Sequence, residues 1–406
     1  MTTLHRQVCF LLLCLLALAP GAFAQDVDPR ETAKVHLGPL YLTPRMALEE
    51  LGVDTNVFNN AEEKRDFTFT LAPRVDLWIP FARRALITTN AATDVVYYQE
   101  YSSERSVNPE VRVKGELFLA RLTPFVEGSY LLSRQRPNFE IDARSKREER
   151  SVRAGAVFRL SPNFSVELAG RQADVEFDAD ATFNDVNLQE TLNRRSQTAM
   201  LTVRHAITPL TTLVLRAEGG NDRFALAPLR NADSVRVMPG VEFKPSALIS
   251  GSGYVGFRRF SPTSDALEPF SGLVANATLG YTLLGSTRFI VNVDRDVTYS
   301  YERVQPYYVV DGYGITVRRQ IVGRTDVTGG VQRQKYTYRD LLLPGSTPAD
   351  LNRVDITRTW SGSFGYRFGE ATRAGIGVLY RERESNSARF RDYEGFRIIS
   401  TVDYEF

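Results

Sequence analysis

The chain has 406 residues, 43% of them hydrophobic and 24% charged, with a formal net charge of +2. Near-neutral charge removes the electrostatic argument for a nucleic-acid partner, and no run approaches the roughly 20 apolar residues of a membrane-spanning helix. Two cysteines and three histidines are too few for a disulfide framework or a transition-metal site, so no cofactor is expected.

At the start, His5 and Arg6 precede an apolar stretch from Val8 to Leu18, and Ala22-Phe23-Ala24 forms a small-x-small cleavage site before Gln25. This is the pattern of a cleaved secretory signal peptide over residues 1–24. Cys9 and Cys14 both fall inside it, and neither ends a lipoprotein-type site. Residues 25–39 are expected to form a short periplasmic segment, and residues 40–406 the folded body.

From residue 40 onward, alternating segments of about 10 to 16 residues follow one another, the rhythm of membrane strands. Phe67, Phe69, Leu71, Val75, Leu77 and Ile79 share one face against Asp66, Thr68, Thr70, Arg74 and Asp76. Val152, Ala154, Ala156, Phe158 and Leu160 oppose Ser151, Arg153 and Arg159; Trp360, Phe364, Tyr366 and Phe368 oppose Ser361, Ser363 and Arg367. Short links occur at 81–84, 121–123, 161–163, 208–211, 244–247, 284–286, 322–324 and 369–371, and longer charged or Pro-rich links alternate with them. The pattern predicts an all-β fold: a transmembrane antiparallel β-barrel of about eighteen strands (sixteen to twenty) in the bacterial outer membrane, short turns periplasmic. Segments 85–98, 164–177 and 325–338 alternate poorly. No sequence repeat supports a solenoid or propeller.

The inward rows of such a barrel carry Arg112, Lys114, Arg153, Arg159, Arg204, Arg216, Arg236, Arg318 and Arg367. Acids interleave with them: Glu116, Glu218, Glu242, Asp294 and Asp296. Two readings stand: a self-neutralising salt-bridge network around a wet lumen, or a lining whose guanidiniums bind anionic groups bidentately. The links 178–195 and 338–355 are long enough to fold inward as a constriction, and "LLLPG" (341–345) offers an apolar tip.

Enzymatic chemistry finds little support. His36 and His205 are isolated, and "GSGYVG" (251–256) has no helix behind it to make a phosphate loop. The expectation is a channel rather than an enzyme.

The chain ends "IISTVDYEF", with Ile398, Ser400, Val402, Tyr404 and Phe406 on one face. Aromatic residues on the lipid side of a closing strand suit the membrane interface. Val402, Tyr404 and Phe406 together resemble the carboxyl-terminal signal read by the barrel-assembly machinery of Gram-negative bacteria. Near the first long link, "LGVDTNVFNN" (51–60) places Gly52, Asp54, Asn56, Val57 and Phe58 in an order that resembles the opening of the putative β-barrel porin 2 family. Asp54 and Asn56 suit turn backbone at a strand end, and Phe58 suits an interface anchor. The resemblance implies an outer-membrane barrel often associated with exopolysaccharide gene clusters. It leads to the expectation of a conduit for an extracellular polysaccharide, working with a periplasmic polysaccharide-export protein among outer-membrane lipids and lipopolysaccharide. The alternatives are a general or solute-specific diffusion porin, carrying a small polar solute, and a non-conducting structural or adhesion barrel.

Overall fold

The computed structural model describes residues 33–59, 63–81, 84–136, 138, 140–141, 144–342, 351–387 and 392–405. The expected signal peptide and Phe406 lie outside these residues. In chain order the strands are β1 (Val35–Leu37), β2 (Leu40–Asp54), β3 (Asp66–Phe81), β4 (Ala85–Tyr98), β5 (Ser106–Leu117), β6 (Leu122–Ser133), β7 (Arg147–Ser161) and β8 (Phe164–Phe177). A small hairpin, β9 (Thr182–Phe183) and β10 (Val186–Asn187), leads into a one-turn helix, α1 (Leu188–Leu192). Then come β11 (Arg194–Thr208), β12 (Thr211–Arg223), β13 (Ala232–Phe243), β14 (Ile249–Pro262), β15 (Phe270–Leu283), β16 (Thr287–Tyr299) and β17 (Tyr307–Gln320). The last four are β18 (Thr325–Arg339), β19 (Val354–Phe368), β20 (Thr372–Ser385) and β21 (Tyr393–Glu405).

β2 to β8 and β11 to β21 pair antiparallel in sequence order, and β21 closes on β2 to make an 18-stranded barrel. Closure leaves no unpaired sheet edge, the condition for strands in a bilayer. Connections along one rim span two to five residues and those along the other seven to sixteen. All eight short links expected from the sequence lie on the first rim. The segments of poor alternation, 85–98, 164–177 and 325–338, are β4, β8 and most of β18.

The outward faces sort by height. Leucine, valine and phenylalanine such as Val126, Val152, Leu168, Leu213, Val235, Phe257, Leu273, Ile315, Phe364 and Ile376 are exposed on the outer face, where lipid replaces water. Above this band, toward the long-loop rim, outward ion pairs ring the wall: Arg195–Asp174 at 2.6 Å, Arg223–Asp233 at 2.6 Å, Arg358–Glu382 at 2.6 Å, and Arg295–Asp311. Such a belt belongs among charged headgroups rather than acyl chains.

The motif at 51–60 begins at a bulge, with Glu50 at φ 52°. The extra residue turns Asp54 to the inside, where it is buried and pairs with Arg397 at 2.7 Å. At Gly52 an added Cβ would lie 2.0 Å from the Ile398 carbonyl oxygen, so the close strand approach requires glycine. Asp54 also accepts the Asn56 amide at 3.0 Å, the expected turn role. Phe58 departs from expectation. It packs edge-on against Tyr101 (4.9 Å between centroids) beside Val57, Val96 and Tyr98, inside the loop layer and away from lipid.

Candidate functional site

Toward the short-turn rim the inner wall is a chain of alternating charges. Glu127 on β6 meets Arg153 on β7 (3.8 Å), which bonds Glu167 on β8; Arg204 on β11 reaches Glu167 (2.9 Å) and Glu242 on β13 (3.9 Å). Arg216 on β12 joins Glu242 at 3.0 Å and the Tyr254 hydroxyl at 2.7 Å, and lies over the Tyr254 ring. Beside this chain, Lys114 pairs with Glu116 (2.7 Å) and Arg112 with Glu127 (3.7 Å). A recess of about 520 Å³ opens here, lined by Lys114, Glu116, Arg153, Arg159, Arg204 and Glu242. Antiparallel register makes these ladders: cross-strand neighbours sit roughly 5 Å apart, within reach of arginine and glutamate.

Arg318 on β17 and Arg367 on β19 lie on a different part of the wall. Arg318 donates to Thr328 Oγ1 at 3.3 Å, and Arg367 joins Arg45, Arg74 and Arg373 around a second recess. The fourteen residues singled out from the sequence therefore do not converge. Eight form the ladder and its recess, these two stand apart, and Glu218, Arg236, Asp294 and Asp296 lie nearer the long-loop rim, where Arg236 pairs with Glu218 at 2.7 Å.

The lumen changes character toward the long-loop rim. β15 pairs with β16 only up to Ala275 and Arg295, whereas β16 and β17 remain paired up to Tyr299 and Tyr307. Above that point β16 parts from β15 and, with β17 still paired to β18 up to Tyr307 and Arg339, the β16–β17 hairpin bends inward. Its formerly outward side chains Val297, Tyr299, Tyr307 and Val309 then pack on the inward Phe260, Phe270 and Val274 of β14 and β15. The Phe260 and Tyr307 rings lie 4.9 Å apart, and Leu267 and Leu341 cover the cluster. Apolar burial drives the bend, since each fully buried aromatic contributes roughly 1.5–3 kcal/mol.

The bend also explains three contacts that a wall strand could not make. Asp296 on β16 reaches Arg236 on β13 (3.0 Å) and Arg258 on β14 (2.5 Å), and the Tyr299 hydroxyl donates to Asp222 on β12 at 2.9 Å. These chords cross the lumen over intervening strands. Asp294, one inward position lower, faces Asn276 across the β15–β16 register.

The turn 300–306 is packed among the long links, with Arg303 and Val304 left exposed. Ser300, Tyr301, Glu302 and Gln305 are each at most 3% exposed. Arg230, from the β12–β13 link, donates to the carbonyls of Ser300, Tyr301, Glu302 and Pro306. Burial lowers the Arg230 guanidinium to about 10, opposed by Glu140 and Glu302, so it remains charged at neutral pH. Tyr301 stacks edge-on with Phe183 and receives Asn184 Nδ2 on its hydroxyl at 3.0 Å. From the β6–β7 link, Glu140 accepts the Ser300 hydroxyl at 2.6 Å. That link joins the fifth and sixth barrel strands, and the turn joins the thirteenth and fourteenth. They arise on nearly opposite sides, so their contact bridges the opening.

Described residues of both links expected to form the constriction, 178–195 and 338–355, pack on the turn: Glu190 pairs with Arg303 at 2.8 Å, and the Leu341 amide bonds the Val304 carbonyl at 2.8 Å. Of "LLLPG", Leu341 is buried under the hairpin, Leu342 is exposed, and residues 343–345 lie outside the described residues. Sequence reasoning missed Glu140, Arg230, Ser300 and Tyr301. The available signal was "TYSYERVQPYYVV" (298–310), four tyrosines around a turn where polar residues are usual.

Solved structures share this architecture. OpdO of Pseudomonas aeruginosa aligns with a TM-score of 0.51 at 9% identity, covering 90% of this chain and 97% of that one. A BenF-like porin from Pseudomonas fluorescens Pf-5 aligns at 0.50 and 8% identity, covering 90% and 99%. Both likenesses concern the fold. No curated protein matches the chain. The strand rhythm, the motif at 51–60 and the closed eighteen-stranded wall converge with a family match across residues 28–405, and the chain belongs to the outer-membrane barrels of the Putative beta-barrel porin 2 family.

Proposed function

We propose that this barrel is a diffusion porin for small polar solutes. The observation that carries the reading is the turn 300–306, buried across the long-loop opening above a charged, wet shaft. An extended polymer needs a continuous bore through both rims, and this opening is crossed by side chains from nearly opposite walls. Small solutes need only gaps and water-filled recesses such as the two above. The polysaccharide conduit expected from the family resemblance gains no support from this geometry, and the diffusion alternative fits it better.

Val402 and Tyr404 are exposed on the outer face of the closing strand β21, a position suited to recognition by the assembly machinery. Residues 1–24 serve as the export signal in this reading.

Liposome swelling with a size series of neutral solutes tests the proposal. Flux of monosaccharides with a sharp decline among larger oligosaccharides is expected. No flux of any solute would contradict it, as would a deletion strain that loses extracellular polysaccharide while accumulating it in the periplasm.

A further inference from the structure

We infer that Glu140 is the latch of the 300–306 turn, holding the turn across the lumen when its carboxyl is protonated and releasing it on ionisation. The inference rests on the porin reading and adds its regulation.

Glu140 is 2% exposed, and Oε1 accepts the Ser300 hydroxyl at 2.6 Å while Oε2 has no hydrogen-bond partner. Charged and titratable groups face it from every element packed around it. They are Arg230 from the β12–β13 link, Tyr301 of the turn, Tyr308 on β17, Tyr336 and Tyr338 on β18, Arg353 just before β19, and Arg383 on β20. Each guanidinium is already engaged. Arg230 holds the turn carbonyls, and Arg353 and Arg383 bind Asp355 at 2.6 and 2.5 Å. The Tyr338 hydroxyl donates to Asp355 at 3.3 Å. These guanidinium bonds go to Asp355 and to the turn carbonyls rather than to Glu140.

A buried carboxylate with one unpaired oxygen is costly, whereas the neutral acid is tolerated there. Burial lifts the Glu140 carboxyl from 4.5 to about 7, outweighing the opposing pull of Arg353, the Ser300 hydrogen bond, Arg383 and, last, the nearby Tyr338 hydroxyl. In the released turn the group meets water and returns to its ordinary range. The closed-state value is the raised one, so closure is favoured fully below about pH 4.5. That preference declines as pH rises through about 7 and is then gone. Across that interval the closed-to-released ratio falls on the order of a hundredfold.

Hydrogen exchange on the refolded full barrel reads the latch directly, in peptides covering 299–307 at pH 5 and pH 8, corrected for intrinsic rates. The Ser300 and Glu302 amides bond Pro306 O (2.9 Å) and Ser300 Oγ (3.1 Å) and report closure. Wild-type protection is expected to drop on the order of a hundredfold at pH 8. Glu140→Gln should keep protection at both values, and Glu140→Ala should lack it at both. Unchanged exchange in β3 to β5 confirms that each variant is folded. A flat wild-type profile, a Glu140→Gln profile that follows the wild type, or full protection in Glu140→Ala would overturn the latch. Bilayer current separates the two proposals, because a barrel that never conducts sinks the porin reading while the exchange result still judges the latch.

Discussion

Asp355 sits wholly buried between Arg353 and Arg383, and Ser385 Oγ donates to it at 2.6 Å. Its carboxylate neutralises two guanidiniums that have little water to turn to. Removing one member of a buried set leaves uncompensated charge, so Asp355→Ala should cost about 3–5 kcal/mol in denaturant unfolding. The Arg195–Asp174 pair has a similar distance, but the arginine side chain is 60% exposed. Arg195→Ala should therefore change stability by less than about 1 kcal/mol. Equal effects of the two substitutions in unfolding titrations would contradict this contrast. Neither Asp355 nor Glu140 stood out in the sequence: the Asp355 partners Arg383 and Ser385 are set by the β19–β20 register, and the Glu140 neighbours come from separate links and strands that the barrel brings together.

At the scale of elements, the strands were legible and their departure from the wall was not. Alternation marks a strand because one face meets lipid and the other water, and β3, β7 and β19 show it plainly. β4, β8 and β18 blur the signal with inward alanine, valine and glycine such as Ala92, Ala169 and Gly330. Turn lengths rescued them. In "YYVV" (307–310) the alternation vanishes because both faces of β17 are buried there, on Phe260 and Leu341 to one side and Tyr336 and Tyr338 to the other. A run apolar on both faces is the physical mark of a hairpin tip folded inward. Tyr307→Ala removes the ring beneath this tip. It should loosen the turn and raise bilayer conductance while leaving the barrel folded; unchanged conductance would mean that the Phe260–Tyr307 contact does not hold the tip.

For the whole molecule, the lumen ladder decides how charge passes. Glu167 and Glu242 each neutralise arginines from neighbouring strands, so the wild-type wall has little net preference. Its reversal potential in a potassium chloride gradient should lie near zero. Glu167→Gln with Glu242→Gln leaves Arg153, Arg204 and Arg216 without these carboxylates and should shift the reversal potential toward chloride selectivity. No shift would place the ladder outside the ion path. The balance of these charges was readable from the inward rows, but which arginine meets which acid depends on strand register.

The central claim is that small solutes cross this barrel past a turn that narrows it. Single-channel recording on the purified barrel tests it most directly, comparing the wild type with a variant whose residues 300–306 are replaced by Asn-Gly. That two-residue link can still join Tyr299 to Tyr307 as a hairpin. The account predicts small steps from the wild type and steps several-fold larger from the variant. Equal steps would remove the turn from the conduction path, and silence from both folded proteins would contradict the porin itself.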